Sequence, residues 1–525
     1  MNTVRATSSS DFDNQTPLTR LEWLLLGLLA VLLLGHLLTL TIYPSVFIDE
    51  GWLANTTWSW LKTGINFDTI HAGVLDQFGY EWVTDNFLGQ MPYVLMYNFF
   101  GLGLFQARLV SWIFGVILIV ATILVCRRCY SLRTGLVAAL LLALSMPFLQ
   151  SSRWRQDIIL AAVIMVSFRV ALYALDTNKI WAHLLAGFLM GVGFDIHQTS
   201  FIFIPGLAAL YLAYYGKKFL TVRGTWIVGI GGALGLGYYA INHMLQNYEV
   251  YTKLMSFYFI SGAEAQIPIM NPGGLVESAV RELARYRFRD NFLDFGMIVV
   301  GALALLYRRS KMDRLVLVFT GVTFASFILL SGDKTPLYAI NLYPFFMIIA
   351  AEGLLSLTRT TRWKAVAWGA GIVLVAFGGF ALYRTASLIY TNREYNYYDV
   401  TNEIRAVVPA DKRIMGMPTW WLGLAEYDYR SSLSLTYYNF FNNYDVRQSF
   451  DAIHPDYVIV DGTQQTILVE EGQELVPGMN VYRISREQFM QVLEEQGEMV
   501  LEFTNPWHGN FQVYRLDWPE EASAP

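Results

Sequence analysis

Residues 43–52 read YPSVFIDEGW and place two adjacent carboxylates, Asp49 and Glu50, directly after the first long apolar run of the chain. That run covers residues 21–42, a length that lets a helix cross the hydrocarbon core of a bilayer. Acidic residues at the water-facing end of a membrane helix are common, and a solvated interfacial loop is the simpler explanation of this pair taken alone. The remaining sequence has to decide between such a loop and a reactive site.

The composition of the chain excludes an ordinary soluble protein. Of its 525 residues, 54% are hydrophobic and only 15% are charged, and the apolar residues form long blocks separated by short charged joints. The formal net charge is −5 and no basic tract occurs, so nucleic acid is not an expected partner. The two cysteines, Cys126 and Cys129, lack a second pair, and we interpret them as buried or interfacial thiols rather than a redox or metal site.

Eleven apolar runs predict an all-α polytopic membrane domain over residues 21–390, with about eleven transmembrane helices. The runs cover residues 21–42, 105–126, 134–150, 156–175, 180–196, 198–215, 224–244, 291–307, 313–331, 336–357 and 363–387. Four joints rich in Lys and Arg alternate so that they share one face, which the positive-inside rule makes cytoplasmic. We therefore expect a protein of the cell membrane, with a disordered cytoplasmic tail at residues 1–20 and with Asp49 and Glu50 on the extracytoplasmic side.

Two long segments on the outer side interrupt the membrane pattern. Residues 43–104 are rich in Trp and Tyr, which favours short helices along the membrane interface near residues 50–62 and 87–103. Residues 245–290 carry cations that the positive-inside bias disfavours outside, namely Lys253, Arg281, Arg285, Arg287 and Arg289. An anionic ligand would explain these cations, and so would an amphipathic surface helix with ion pairs through Glu277 and Glu282.

Residues 391–525 have the composition of a soluble domain, and they predict a small extracytoplasmic α/β domain. Short β-like runs are Arg413–Met417, Tyr457–Val460, Met499–Phe503 and Phe511–Leu516, and they alternate with helical patterns at Tyr398–Val408, Val446–Ile453 and Arg486–Glu495. Aromatic residues concentrate between Tyr427 and Tyr444. Such a concentration indicates either a core or a carbohydrate-stacking surface.

Three further polar clusters fall on the same outer side as Asp49. One is residues 151–157, with Asp157 beside Arg153 and Arg155; the others surround His197 and Lys334. A carboxylate at a helix start can be a simple cap, but four clusters on one face indicate a shared hydrated cavity. The helix interiors are nearly free of charge apart from Arg169. This one-sided polarity favours an enzyme over a transporter, whose polar groups usually lie near the membrane midplane.

These motifs resemble the C-type membrane glycosyltransferases. The resemblance spans residues 20–390. Within this superfamily, the chain is similar to the protein O-mannosyltransferases (glycosyltransferase family 39) and the aminoarabinose transferases of lipid A. The segments that carry it are Asp49-Glu50, Arg153-Trp154-Arg155-Gln156-Asp157, residues 187–199 (GFLMGVGFDIHQT), Lys334-Thr335-Pro336-Leu337-Tyr338, Tyr343-Pro344 and residues 350–354 (AAEGL).

The resemblance implies transfer of a sugar from a polyprenyl-phosphate donor to a hydroxyl acceptor at the outer face of the membrane. The acceptor would be a glycolipid, a cell-envelope glycan or a protein, and membrane lipid is a further expected partner. Asp49 matches the family's catalytic position and takes the role of the base. Glu50 and Asp157 would orient Asp49, bind the acceptor, or hold a divalent cation such as Mg or Mn together with Asp49.

Basic residues are needed to receive the lipid phosphate. The first candidates are Arg287 and Arg289, followed by Lys334, Arg153 and Arg155. Two further residues lie on family motifs near the site, His197 and Tyr338, although a hydrogen-bonded structural role explains His197 equally well. The alternative function is a non-enzymatic transporter or flippase of lipid-linked sugars.

Overall fold

The computed structural model describes residues 17–76, 86–153, 155–261, 268–270, 272–287, 292–332, 334–360, 364–470 and 483–518. The membrane domain is helical. Its helices are α1 (Arg20–Leu38), α2 (Ile48–Thr63), α3 (Phe87–Phe100), α4 (Leu104–Cys129), α5 (Leu132–Ala143), α6 (Met146–Gln150), α7 (Asp157–Thr177), α8 (Ile180–Val192), α9 (Ile204–Tyr215), α10 (Arg223–Tyr239), α11 (Tyr248–Ser261), α12 (Leu275–Arg285), α13 (Phe292–Arg308), α14 (Lys311–Leu330), α15 (Tyr343–Thr360) and α16 (Lys364–Thr391).

A helix occupies each of the eleven predicted apolar runs, and α2 and α3 occupy the two predicted outer helices. Within the described residues, seven helices are long and apolar enough to cross a membrane, judged by length and composition. They span Arg20–Leu38, Leu104–Cys129, Asp157–Thr177, Gln198–Thr221, Arg223–Leu245, Lys311–Leu330 and Lys364–Thr391. These helices are those of an integral membrane protein.

Helix α7 forms the centre of the membrane domain. Of its apolar window, 72% is buried inside the protein, whereas the windows of α1 and α16 are each only 17% buried. Residues buried all around a helix are typical of a central position, while exposed apolar faces suit contact with lipid. Because α7 starts with Asp157, its first turn holds that carboxylate fixed at one end of the helix bundle.

The C-terminal residues form the predicted small α/β domain. Its helices are α17 (Tyr397–Val407), α18 (Ser434–Asn442), α19 (Val446–Ile453), α20 (Gly462–Ile467) and α21 (Arg486–Gln496). Its strands are β1 (Arg413–Gly416), β2 (Asp428–Ser431), β3 (Tyr457–Val460), β4 (Leu468–Val469), β5 (Ile484–Ser485), β6 (Gly497–Asn505) and β7 (Gly509–Leu516). The main sheet has the order β2-β1-β3-β7-β6, with β1 parallel to β2 and β3, and with β7 antiparallel to β3 and β6.

The C-terminal domain packs directly on α2. At Gly51, a Cβ atom would lie 1.8 Å from the carbonyl oxygen of Pro418, so only glycine allows this backbone contact. In addition, the backbone amide of Val46 donates a hydrogen bond of 3.2 Å to the hydroxyl of Tyr395. The domain therefore holds the helix that carries Asp49 on one side.

The opposite end of the membrane domain contains a separate ionic cluster. Arg308 contacts both Asp313 and Glu352, and the distance from its Nη1 atom to Glu352 is 2.5 Å. The two thiols belong to this end: Cys126 is buried, Cys129 is partly buried, and both are free. The interpretation of the cysteines as buried or interfacial thiols is confirmed.

Candidate active site

Asp49 lies in the first turn of α2, which starts at Ile48 after the extended residue Phe47. Carboxylates are favoured there because the backbone amides of a helix N-terminus point toward them. The side chain of Asp49 is 34% exposed and contacts the guanidinium group of Arg155. Asp49 is thus accessible to solvent, and its charge is balanced by that of Arg155.

Arg155 joins Asp49 to the second predicted carboxylate. Its Nε atom donates to Oδ2 of Asp157 at 2.7 Å, and its Nη1 atom contacts Asp49. The side chain of Asp157 is only 2% exposed, and its Oδ1 atom has no hydrogen-bond partner within the described part of the chain. The structure therefore brings Asp49, Arg155 and Asp157 together, as the sequence predicted for the two acids.

Tyr338 extends this cluster across the site. The guanidinium carbon of Arg155 lies 5.7 Å from the centre of the Tyr338 ring, and the ring of His197 lies 5.0 Å from it in an edge-on arrangement. The Nδ1 atom of His197 is also 2.9 Å from the hydroxyl oxygen of Thr199. His197 and Tyr338 therefore border the site, as expected, although neither touches Asp49 among the contacts described.

On its other side, Tyr338 contacts a second group of charges. The guanidinium carbon of Arg285 lies 5.9 Å from the Tyr338 ring, and its Nη2 atom lies 3.3 Å from Oε2 of Glu282. Lys334 approaches the same Glu282 oxygen at 3.0 Å and donates to the carbonyl oxygen of Phe327 at 2.6 Å. Burial lowers the pKa of Lys334, although the nearby Glu282 opposes that shift.

Arg285, and not the first candidate Arg287, lies beside Tyr338 at the predicted site. Arg287 is exposed beyond the end of α12, and Arg289 lies outside the described residues. The signal that identifies Arg285 is helical spacing, because Ser278, Glu282 and Arg285 are the buried residues of α12 and follow one another at intervals of four and three. The interpretation of residues 245–290 as an amphipathic helix with ion pairs through Glu277 and Glu282 is supported for α12. The anionic ligand stays a prediction.

Glu50 faces away from Asp49. Both of its carboxylate oxygens accept from Arg108, at 2.8 and 2.7 Å, and Arg108 also donates to the carbonyl oxygens of Leu40 and Pro44 at 2.6 and 2.7 Å. Glu50 is 1% exposed and Arg108 is fully buried. The pair fixes the chain between α1 and α2, which leaves Glu50 no direct approach to the acceptor.

Arg108 is a functional residue that the sequence pattern did not predict. The helix interiors were expected to be nearly free of charge apart from Arg169, and that expectation is wrong because Arg108 is the fifth residue of α4. A charged residue inside an apolar helix costs free energy unless a partner neutralises it. An arginine near the start of an apolar helix therefore indicates a buried acidic partner.

Arg153 supports the loop before α2. Its Nε atom donates to the carbonyl oxygen of Ser45 at 3.2 Å, and its guanidinium carbon lies 5.4 Å from the ring of Phe47. Trp154 and Asp333, which complete two of the motifs, lie outside the described residues.

The donor atoms around Asp49 do not fit a divalent cation as they are arranged. Mg and Mn require several oxygen ligands, but Asp49 and Asp157 both direct an oxygen to the positively charged Arg155. Among the residues that the structure describes, there is also no cluster of three His, Cys, Asp or Glu side chains that could hold a metal. The Mg or Mn site stays a prediction.

Residues 92–238 match the family model of the dolichyl-phosphate-mannose-protein mannosyltransferases. No curated protein is significantly similar to the chain in sequence. A similar solved structure is ArnT from Cupriavidus metallidurans bound to undecaprenyl phosphate, with a TM-score of 0.62 and 14% identity over 97% of this chain and 100% of ArnT. The oligosaccharyltransferase of Archaeoglobus fulgidus tethered with an acceptor peptide has a TM-score of 0.54 and 13% identity, over 94% of this chain and 74% of that protein.

The chain has the fold of the C-type membrane glycosyltransferases, and the predicted resemblance to them is confirmed. The predicted fold class is confirmed as well. The likeness to ArnT extends over nearly all of this chain and the whole of ArnT, and it therefore includes the C-terminal α/β domain in addition to the membrane helices.

Proposed function

We propose that this protein is an inverting glycosyltransferase that moves a sugar from a polyprenyl-phosphate donor to a hydroxyl group of a glycolipid, an envelope glycan or a protein. The observation that carries the proposal is the difference in exposure among three neighbouring carboxylates. Asp49 is 34% exposed, whereas Glu50 and Asp157 are nearly buried and each is held by an arginine. An incoming hydroxyl group can reach only Asp49 of these three.

In the proposed step, Asp49 accepts the proton of the acceptor hydroxyl group while the hydroxyl oxygen attacks the anomeric carbon of the donor sugar. A new glycosidic bond forms, and the bond between the anomeric carbon and the phosphate oxygen breaks. The electron pair leaves with the polyprenyl phosphate, and the proton remains on Asp49. Arg155 pairs with Asp49 and orients it before the step, and Asp157 orients Arg155.

The charges on the two sides of Tyr338 support this division of roles. On one side, Arg155 contacts the two carboxylates Asp49 and Asp157. On the other side, the two cations Arg285 and Lys334 both contact Glu282. The side with the exposed carboxylate suits proton abstraction, and the side with two cations suits a departing phosphate, which gains negative charge as the bond breaks.

The fold relatives support a lipid-linked donor. The ArnT structure contains undecaprenyl phosphate, and the Archaeoglobus fulgidus oligosaccharyltransferase AglB has been solved with a dolichol-phosphate (TM-score 0.51, 13% identity, 96% of this chain and 75% of that one). For this chain we assign the phosphate to Arg285 and Lys334, with Arg155 at the edge of the same site.

We place the active site and the C-terminal domain on the extracytoplasmic side of the cell membrane, because the joints rich in Lys and Arg lie at the other end of the bundle. Asp411 is exposed in the C-terminal domain. In a Cys126→Ser, Cys129→Ser background, Asp411→Cys should react with a membrane-impermeant maleimide in intact cells. Labelling that requires lysed cells would reverse the orientation.

The reaction is tested with full-length protein in lipid nanodiscs, radiolabelled undecaprenyl-phosphate sugars, and glycan and glycolipid extracted from cells that lack the gene. Wild type should transfer label to the extract, and Asp49→Asn should reduce the rate by about 10²- to 10⁴-fold, the usual contribution of a general base. The control is Asp411→Asn, which removes an exposed carboxylate outside the site. Transfer that survives Asp49→Asn would refute the base, and transport of the lipid-linked sugar without transfer would favour a flippase.

A further inference from the structure

Residues 44–47 lead directly into the turn of α2 that carries Asp49. Several of their backbone groups form hydrogen bonds with charged side chains of the membrane domain, namely those of Arg108, Arg153 and Glu50. A further backbone group, the amide of Val46, donates to the hydroxyl group of Tyr395 at 3.2 Å. Because Tyr395 lies between α16 and α17, it brings the C-terminal domain into contact with the segment that precedes the proposed base.

The hydroxyl group of Tyr395 forms a second hydrogen bond, to His508. Tyr395 is buried, and its Oη atom lies 3.1 Å from Nε2 of His508. Burial raises the pKa of Tyr395 to about 12 and lowers the pKa of His508 to about 4, so at neutral pH the hydroxyl group keeps its proton and the ring is uncharged. Since the hydroxyl oxygen accepts from Val46, its proton is donated to the ring. These two hydrogen bonds, from Val46 to Tyr395 and from Tyr395 to His508, form the Tyr395 bridge.

His508 is itself fixed within the C-terminal domain. It lies in the turn between β6 and β7, where its backbone amide donates to Oδ1 of Asn505 at 3.2 Å and its carbonyl oxygen accepts from the amide of Gly462 at 3.2 Å. Its ring packs edge-on against Trp420, with the ring centres 4.7 Å apart. The Tyr395 bridge therefore ends on a side chain that is held by backbone bonds and by ring packing.

The segment that the bridge holds also contacts Arg155, the partner of Asp49. Phe47 follows Val46 directly, and its ring lies 6.0 Å from the guanidinium carbon of Arg155. A shift at Val46 therefore changes both the start of α2 and a surface against which Arg155 packs. A misplacement of about 1 Å can reduce a reaction rate by about 100-fold. The bridge is thus placed to control the position of the base.

Other contacts keep the C-terminal domain attached when the bridge is broken. The backbone of Gly51 lies against the carbonyl group of Pro418, and the amide of Ser431 donates to the carbonyl oxygen of Ile70 at 2.8 Å. Neither contact involves the hydroxyl group of Tyr395. Removing this hydroxyl group therefore separates the position of residues 44–47 from the attachment of the domain.

We propose that Tyr395 is a positioning residue for the base Asp49 and that His508 orients the Tyr395 hydroxyl group. The inference rests on the proposed function and makes the C-terminal domain a part of the active centre. Tyr395 acts through the backbone of residues 44–47 and needs no contact with either substrate. Its loss should therefore lower kcat and leave the KM values for donor and acceptor unchanged.

The test removes only the hydroxyl group, with Tyr395→Phe. The matched control is Tyr427→Phe, because Tyr427 is another buried tyrosine of the same domain and its hydroxyl group donates to the carbonyl oxygen of Val408 at 3.0 Å. Both variants are studied as full-length protein in lipid nanodiscs. Sugar transfer from undecaprenyl-phosphate sugars gives kcat and KM, and hydrogen–deuterium exchange of peptides that contain Val46 reports on the bridge without any need for activity.

In Tyr395→Phe the buried amide of Val46 loses its acceptor, so we expect exchange in residues 44–50 to become faster by about tenfold or more. We expect kcat to fall by about tenfold or more, with both KM values unchanged. Tyr427→Phe should match wild type in exchange and in kcat. Wild-type exchange, a wild-type kcat or a raised KM in Tyr395→Phe would each overturn the positioning role.

Two variants of His508 test the second hydrogen bond of the bridge. The amide oxygen of Gln can accept from the Tyr395 hydroxyl group in place of Nε2, whereas Leu has no acceptor. His508→Gln should therefore retain a higher kcat than His508→Leu, and equal kcat values would overturn the role of His508. Faster exchange in Tyr395→Phe, together with a wild type that transfers no sugar, would count against the proposed function and would support the bridge.

Discussion

Replacing Arg108 with Met removes the buried charge that holds the start of α2. Arg108 makes two hydrogen bonds to Glu50 and two to backbone carbonyl oxygens, and both side chains are almost completely buried. Breaking a buried ion pair by removing one partner costs about 3–5 kcal/mol, because the remaining charge is left uncompensated. We expect the free energy of opening the segment from residue 40 to residue 50 to fall by that amount.

Hydrogen–deuterium exchange of nanodisc-embedded protein measures this free energy directly. A loss of 3 kcal/mol corresponds to exchange that is about 100-fold faster, and we expect it in peptides from the start of α2. Sugar transfer should also fall, because Asp49 belongs to the same helical turn. Arg127→Met serves as the control, since Arg127 is exposed at the other end of α4.

The double variant Glu50→Gln, Arg108→Met separates the two explanations of such a loss. If the cost comes from the unpaired charge of Glu50, removing that charge should recover part of the protection against exchange. Exchange and activity at wild-type levels in Arg108→Met would refute the assigned role of the pair. A double variant that is no better than the single variant would show that packing of the arginine, and not the charge, holds the segment.

Three further predictions concern the C-terminal domain and the donor. Burial raises the pKa of Asp461 to about 6 and lowers the pKa of His508 to about 4. As the pH falls from 6.5 to 4, His508 takes up a proton in the unfolded chain but not in the folded domain, which lowers the free energy of unfolding. Over the same range, Asp461 takes up a proton in the folded domain before it does so in the unfolded chain, which raises the free energy of unfolding. The two effects therefore oppose each other. In Asp461→Asn, the free energy of unfolding of the domain should therefore fall by about 3 kcal/mol over this range, and in His508→Asn it should rise by a similar amount. Both changes are measured by hydrogen exchange in the central strands. Gly51→Val should separate the domain from α2, because its Cβ would collide with the carbonyl group of Pro418; limited proteolysis between the domains should accelerate, while Gly64→Ala in the exposed C-cap should not have this effect. Arg285→Gln should raise the KM for the donor and leave the KM for the acceptor unchanged, and the reverse pattern would refute its assignment to the phosphate.

The sequence predicts correctly those helices and strands whose pattern of apolar residues reflects their burial in the folded protein. The predicted run 156–175 corresponds to α7 (Asp157–Thr177), and the predicted strand Tyr457–Val460 has the same bounds in the structure. β3 is buried throughout and α7 is buried over most of its surface, so each appears in the sequence as a continuous apolar run. By contrast, β2 at Asp428–Ser431 is an edge strand with charged residues, so it does not form a continuous apolar run and was not predicted.

The different positions of Asp49 and Glu50 could not be read from the sequence. Consecutive residues on a helix point about 100° apart, given 3.6 residues per turn, so neighbours in sequence face different surroundings. Which of the two faces the bundle depends on Arg108, whose position in space relative to α2 follows only from the folded structure. For the same reason Arg285 and Arg287, two residues apart, have opposite exposure at the end of α12.

The position of Tyr338 explains how one site can hold both an acid cluster and a basic cluster. Direct contact between them would let Arg285 pair with Asp49, and the site would then lose the charges to which the proposed function assigns proton abstraction and phosphate binding. The ring of Tyr338 lies against both Arg155 and Arg285 and binds each through its face. It therefore keeps the two clusters adjacent and separately charged. A substitution such as Tyr338→Leu should preserve the fold while reducing kcat, because both clusters lose the surface that holds them apart, and unchanged kcat in that variant would refute a separating role for the ring.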